Sequence, residues 1–350
     1  MTPWGLPDGP LDATLLCVGR DYGYHESVKG RPFVGPSGFY LNRALLEEAS
    51  LPRALVRVTN VCNTRPRLDK WELHEPGAVA HGMSELTCEL QRFRDAGGVL
   101  VVALGEQALQ ACVHGDPNRK PERKATITET RGYVFAGPHG LPVLAAGHPA
   151  AFLHGGWIPG YPLFRWDMRK AGRYLRGERP PTDRREVFVT EIDKLFEYIE
   201  RALRAERVAV DIEEDRCLAF SYNATLGVAV PDYCREPFKS AVQELLLGAK
   251  GLVFQNGQYD NWRLREYGFQ PGRWTDDIML LWHSREPLIA GKKESGAGRT
   301  EKSLRFLASL LTWEPFYKDY NFESPEEEWT LNAKDALVTL EIYSALASNG

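Results

Sequence analysis

The chain has 350 residues and a net charge of −4, a length that predicts two domains, each with its own core. The acidic balance excludes a globally basic nucleic-acid coat, so any nucleic-acid surface has to be local. No apolar run is long enough to span a bilayer, the first residues lack the basic and apolar regions of a secretory signal, and six scattered cysteines without a Cys-x-x-Cys pair read as reduced, intracellular packing residues.

In chain order, residues 1–12 are rich in proline and glycine and predict an irregular lead-in. Residues 14–19 predict a buried strand, and 37–49 a helix with Leu41, Leu45 and Leu46 on one face. Strands follow at 55–61, 99–105 and 143–149. Helices follow at 79–96, from 106, and at 161–175. Apolar strands separated by helices predict a parallel sheet covered on both faces, a three-layer αβα arrangement. The functional loops of such a sheet leave the C-terminal strand ends, here 20–36, 60–69, the segment after 105, and 147–156.

Residues 176–185, charged and carrying a Pro-Pro pair, read as a linker. The domains are then 1–176 and 188–350, with 177–187 between them. Past the linker, helices are expected at 191–205, 238–247, from 260, 276–282, 303–311 and 332–347, and strands at 208–211, 217–223, 225–230 and 252–255. Residues 288–300 read as a basic, glycine-bearing loop.

In the first half, Gly30-Arg-Pro-Phe-Val-Gly-Pro-Ser-Gly38 is glycine-dense, which lets a backbone pass close to a ligand. Phe33 is either a plug at the sheet edge or a flat ring for a planar base. The segment resembles the uracil-DNA glycosylase superfamily, its thermostable family-4-like branch above all, over residues 12–176. Thr59-Asn60-Val61, Ala103-Leu104-Gly105 and Gly147-His148-Pro149-Ala150 follow in the family's order. The resemblance implies that Phe33 stacks on an extruded uracil, that the Asn60 amide reads its polar edge, and that His148 stabilises charge on the departing base. Arg20 stands where the family has Glu, and Asp21, one place on, is expected to position the attacking water. Glu26 matches the later acid of that motif. The branch binds a four-cysteine iron–sulfur cluster. Thr64 replaces one expected ligand, and Cys17, Cys62, Cys88 and Cys112 do not recreate the spacing, so no cluster is expected.

In the second half, Asp211 and Glu213 end an apolar strand at i and i+2, so both carboxylates leave one face. A solvated acidic turn explains such a pair, and so does a hard cation such as Mg²⁺ or Mn²⁺. Asp260 heads a helix after Asn256-Gly-Gln-Tyr, where capping alone accounts for an Asp. Asp335 lies one turn into the last expected helix. Asp211/Glu213, Asn256-x-x-x-Asp260 and Asn332-Ala-Lys-Asp335 together resemble the DEDD 3′–5′ exonuclease superfamily, with its closest look to the proofreading domain of family-A, phage-type DNA polymerases. That resemblance covers about residues 186–347. It implies an RNase H-like mixed sheet and two divalent ions held by Asp211, Glu213, Asp260 and Asp335. Leu331 occupies the place of a tyrosine that orients the attacking water, with Tyr259 as a possible substitute. Lys292, Lys293, Arg299 and Lys302 are candidate phosphate contacts, and Phe254, Tyr259, Trp262 and Trp274 are either core or stacking platforms.

Together these features predict an intracellular DNA-maintenance enzyme, with uracil excision joined to 3′–5′ degradation and DNA as partner. The alternatives are a catalytically weakened DNA-binding protein that supports a polymerase, or the N-terminal part of a phage-like polymerase.

Overall fold

The computed structural model describes residues 4–121, 126–153, 160–272, 274–289, 302–316 and 322–347. The chain folds as two compact units, Met1–Arg179 and Pro180–Gly350.

The first unit runs β1 (Leu15–Asp21), α1 (Tyr24–Lys29), α2 (Pro36–Ala49), β2 (Arg57–Cys62), α3 (Ala78–Asp95), β3 (Leu100–Leu104), α4 (Glu106–His114), α5 (Ile127–Thr130), β4 (Val134–Ala136), β5 (Pro142–Ala146), α6 (Ala150–Leu153) and α7 (Gly160–Leu175). Its sheet has the order β2-β1-β3-β5-β4. The first four strands are parallel and β4 is antiparallel to β5. Side chains of β1 alternate between two cores. Leu15 and Cys17 pack with Leu41, Leu45, Phe164 and Met168 from α2 and α7. Leu16 and Val18 pack with Leu86, Leu90, Ala108 and Leu109 from α3 and α4. Each leucine buried in this way contributes about 1.5–3 kcal/mol. The expected three-layer arrangement is therefore present, with one addition. β4 is only three residues long and partly exposed, too short to leave a periodic signal. Strand order reverses at β1, with β2 on one side and β3 on the other, so the crevice of the sheet opens at the ends of these strands.

The second unit runs β6 (Arg185–Phe188), α8 (Ile192–Arg204), β7 (Val208–Glu213), β8 (Cys217–Asn223), β9 (Leu226–Pro231), α9 (Phe238–Gly248), β10 (Leu252–Phe254), α10 (Gly257–Glu266), β11 (Trp274–Asp277), α11 (Ile278–Arg285), α12 (Leu304–Leu311) and α13 (Pro325–Ala347). The sheet order is β11-β10-β7-β8-β9-β6. β8 is antiparallel to β7 and β9, and the remaining pairs are parallel. Counted from β7, the strands lie in the order third, second, first, fourth, fifth with the second reversed, an RNase H-like mixed sheet extended by β6.

Helices α8 and α9 cover one face through Leu195, Ile199, Val242, Leu245 and Leu246. On the opposite face a set of small residues, Ala219, Ala229, Ala333 and Ala336, admits α13 close to the strands. At Gly227 the approach is backbone to backbone: a Cβ there would lie 2.1 Å from the Ala333 carbonyl oxygen.

In the second unit four elements differ from the sequence reading. β6 begins inside the expected linker, because an edge strand with a half-exposed face carries Arg185 and Glu186 instead of an apolar run. β11 reads Trp-Thr-Asp-Asp and hides its strand character behind two acids. α10 starts at Gly257, so Asp260 lies inside the first turn and is not the cap; the N-cap position is Asn256, without a side-chain cap bond. α13 begins at Pro325, which places Asp335 well inside it. Its start is marked by Ser324, whose hydroxyl accepts the Glu327 N–H at 3.3 Å, and by Glu326–Glu328, acids suited to a helix N-terminus.

Candidate active sites

In the first unit the site is built on the ends of β1, β2 and β5. Phe33 adopts φ +55°, a left-handed backbone that costs a bulky residue about 1–3 kcal/mol. Glu26 holds it: the buried carboxylate accepts the N–H groups of Val34 (3.0 Å) and Gly35 (2.8 Å) on Oε1. Gly38 makes room for it, since a Cβ would lie 1.8 Å from the Phe33 carbonyl oxygen. The Phe33 ring and the Asn60 side chain converge on Gly19. A Cβ there would lie 2.3 Å from Asn60 Oδ1 and 2.7 Å from Phe33 Cζ. Asn60 Nδ2 faces Asn63 Oδ1 at 3.4 Å, and Asn63 Nδ2 donates to Thr59 Oγ1 at 3.2 Å.

His148 follows β5, and its ring centroid lies 6.1 Å from that of Phe33. The turn before it is held by Asp167, which accepts the Gly147 N–H (3.4 Å) and is bound by Arg131 (2.6 Å). Ala150 N–H donates to His148 Nδ1 at 3.1 Å. The neutral ring therefore carries its proton on Nε2. Burial, then the Arg20 charge, pushes the His148 pKa down to about 4, against the pull of Asp21. Asp21 ends β1, and Arg20 Nε (2.9 Å) and His74 Nε2 (3.4 Å) both meet its Oδ2.

In the second unit β7 carries Asp211 and Glu213, and α13 carries Asp335. Oxygen atoms from these three carboxylates all lie within 4.8 Å of one another. Asn332, one turn before Asp335, donates from Nδ2 to Asp211 Oδ2 at 2.7 Å. Asp260 stands outside this trio. Burial, then the charges of Asp277 and Glu213, pushes its pKa up to about 8, with a backbone hydrogen bond opposing. Asp277 is a capping residue reached from a neighbouring strand. Its carboxylate accepts N–H groups of Asn256 (3.2 Å), Gly257 (2.8 Å) and Met279 (2.8 Å), tying the starts of α10 and α11 together.

Residues 6–161 match the family model described as the Uracil DNA glycosylase superfamily. The matched residues lie within the first unit. The chain is 29% identical over 172 residues to the type-4 uracil-DNA glycosylase of Thermotoga maritima, covering 49% of this chain and 82% of the relative. It is 29% identical over 177 residues to the type-4 enzyme of Archaeoglobus fulgidus, covering 50% and 82%. Among solved structures, the EXO domain of Aedes aegypti Nibbler is similar at 14% identity and TM-score 0.35, over 46% of this chain and 86% of that one. The POL domain of Pol1 from M. smegmatis is similar at 16% identity and TM-score 0.35, over 46% and 28%. At that level of likeness, the reading of the second unit stands on its own geometry.

The structure thus brings Asp21, Phe33, Asn60 and His148 to one sheet end, and Asp211, Glu213 and Asp335 to one carboxylate group. Lys292, Lys293 and Arg299 lie outside the described residues. Lys302 is half-buried, and its carbonyl oxygen accepts from Gln255 Nε2 at 3.1 Å. Phe254 is core, whereas Tyr259, Trp262 and Trp274 are exposed. The Tyr259 hydroxyl donates to Glu214 at 2.7 Å, and Arg263 and Tyr267 bind the same carboxylate.

Sequence reasoning missed His74, Asn332 and Asp277. His74 and Asp277 act across 53 and 20 residues of chain, on Asp21 and Gly257, and carry no local motif. Asn332 sits inside a quoted motif and signalled only through its i, i+3 spacing to Asp335. Among the described residues no group of three or more cysteines or histidines converges. Burial raises the Cys17 and Cys112 thiols to about 12. Thr64, at the place of one expected cluster ligand, faces Cys62 Sγ at 3.3 Å.

Proposed function

We propose that the first unit hydrolyses the N-glycosidic bond of uracil in DNA, without an iron–sulfur cluster. The observation that carries this reading is the convergence of Phe33, Asn60 and His148 at the strand ends of a domain that matches the glycosylase superfamily. A base rotated out of its stack reaches such a site. Phe33 offers a ring face, and the Asn60 amide offers a donor and an acceptor to the base edge. Asp21 positions water toward C1′. As the C1′–N1 bond breaks, its electron pair passes to the base, and the His148 Nε2–H donates to that charge. A preorganised donor of this kind is worth about 10²–10³ in rate. In this reading residues 1–176 and 188–350 are the two working domains, and DNA is the partner of both.

For the second unit we propose a DEDD-type 3′–5′ exonuclease related to family-A polymerase proofreading domains. The donor set fits a divalent cation. Three carboxylates share one small volume, and Asp260 is pushed toward its neutral form by burial and neighbouring acids, a charge imbalance that a cation relieves. Asp211, Glu213, Asp260 and Asp335 would hold Mg²⁺ or Mn²⁺, which when bound activates water and stabilises the leaving oxygen. Asn332 orients Asp211. Leu331 has no group that orients water, and with Tyr259 bound to Glu214 the nuclease is slow. The same two observations favour a second reading, in which this unit holds DNA ends for a polymerase without turning over.

The test is release of free uracil from a single-stranded oligonucleotide carrying one uracil. Wild type releases it, and Asp21→Asn and His148→Ala lose the release while retaining DNA affinity. A wild-type protein that binds the oligonucleotide and releases no uracil overturns the glycosylase reading and leaves the DNA-binding one.

A further inference from the structure

Among the described residues of the first unit, His74 is the imidazole that bridges a proposed catalytic carboxylate to a buried thiol. Its Nε2 lies 3.4 Å from Asp21 Oδ2 and its Nδ1 3.5 Å from Cys62 Sγ. The imidazole is almost completely buried, with 4% of its side chain exposed. The groups facing it come from every packed element. β1 supplies Asp21, with Arg20 Nε 2.9 Å from the same Oδ2. The end of β2 supplies Cys62, with Thr64 3.3 Å from its sulfur. The turn between β2 and α3 supplies the Trp71 ring, edge-on with centroids 5.0 Å apart. α3 supplies the Ala78 carbonyl, which accepts from Cys62 Sγ at 3.6 Å. Arg20 is fixed in turn by the Asp69 carbonyl (3.2 Å), and Asp69 is paired with Arg65.

We propose that His74 is a positioning residue for the hydrolysis: held by Cys62 on one side, it clamps Asp21 Oδ2 on the other, so that Asp21 turns its second oxygen to the attacking water. The inference rests on the glycosylase reading above. A carboxylate that directs water must be fixed in rotation, and the Arg20 hydrogen bond together with the His74 ion-pair contact on one oxygen restrains it. The ring matches this role. Burial alone lowers its pKa, but the bonds to Asp21 and Cys62 outweigh burial and raise it to about 9. At neutral pH both ring nitrogens therefore carry protons, one for the carboxylate and one for the sulfur. In the step itself, water oxygen bonds to C1′, the C1′–N1 pair leaves with uracil, and the water proton passes to Asp21 and on to solvent. His74 keeps its protons throughout.

The test is the pH profile of single-turnover uracil release by wild type, His74→Gln and Cys62→Ala. Thermal unfolding at pH 7 shows which variants are folded, and binding of uracil-containing DNA is measured in parallel. Wild type declines through pH 9. His74→Gln loses about tenfold in rate at pH 7, the value of one hydrogen bond, keeps its DNA affinity and shows no decline at pH 9. Cys62→Ala moves the decline to lower pH, because the Nδ1 proton loses its acceptor. A folded His74→Gln with the wild-type rate and profile overturns the proposal, as does one whose loss is entirely in DNA affinity. If wild type releases no uracil at any pH, the glycosylase reading falls and the role of His74 falls with it.

Discussion

Gly227→Ala tests how closely the carboxylate group depends on the fold beneath it. The added Cβ would meet the Ala333 carbonyl oxygen at 2.1 Å, whereas ordinary contact begins at 3.4 Å, a shortfall of 1.3 Å. The obstacle is helix backbone, so α13 itself must move. Asp335 lies two residues beyond Ala333 on that helix, and its oxygen belongs to a group only 4.8 Å across. A shift of that size takes Asp335 out of range of Asp211 and Glu213. Overpacking of this kind costs about 1–3 kcal/mol, which corresponds to a fall of roughly 2–12 °C in the unfolding of a unit of this size. Two readouts follow: melting of the full chain, and the further stabilisation that added Mn²⁺ gives, which measures cation binding by mass action. The expected result is a lower melting temperature with most of the Mn²⁺ stabilisation gone. Wild-type melting and wild-type Mn²⁺ stabilisation would refute the argument that small residues set the site.

Gly19→Ala drives a methyl into Asn60 Oδ1 and the Phe33 ring; uracil release falls at least tenfold while Mn²⁺ stabilisation is unchanged, measured on the same preparation. Asp277→Ala strips the acceptor from three N–H groups, and loss of charged hydrogen bonds at about 1.5–3 kcal/mol each makes it more destabilising than Gly227→Ala, checked by melting. The His74 pKa is raised from 6.5 to about 9. Its contribution to stability is therefore complete below pH 6.5 and lost as pH rises through 9, on the order of 3 kcal/mol. Urea unfolding at pH 6 and pH 9.5 should show that loss in wild type and a smaller one in His74→Gln.

The parts of this protein legible in its sequence are those governed by short periods. Leu15–Val18 and Leu100–Leu104 are buried on both faces and read as continuous apolar runs, and Phe33, Asn60 and His148 sit in contiguous motifs. The parts that were not legible depend on long-range partners. β6 and β11 are strands because β9 and β10 offer them edges, not because their residues alternate. α13 starts two turns before its expected position, since its acidic first turn reads as loop until the Ser324 cap is seen. Capping alone accounts for an Asp at 260 in the sequence, yet the caps of α10 and α11 come from Asp277, and Asp260 is left buried with neighbouring acids. Asp21 was legible as a carboxylate at a strand end. Its pairing with His74 was not, because proximity there is made by the turn between β2 and α3 folding back over β1.

The most direct measurement is one gel. A single-stranded oligonucleotide with one uracil, labelled at the 5′ end in one reaction and at the 3′ end in another, is incubated with the full chain in Mg²⁺, Mn²⁺ or EDTA and then treated with alkali. An alkali-dependent break at uracil is expected in every reaction, EDTA included, and a faint ladder shortening from the 3′ end only with metal. Intact oligonucleotide in all lanes, with the same protein still shifting it on a native gel, would contradict both catalytic assignments.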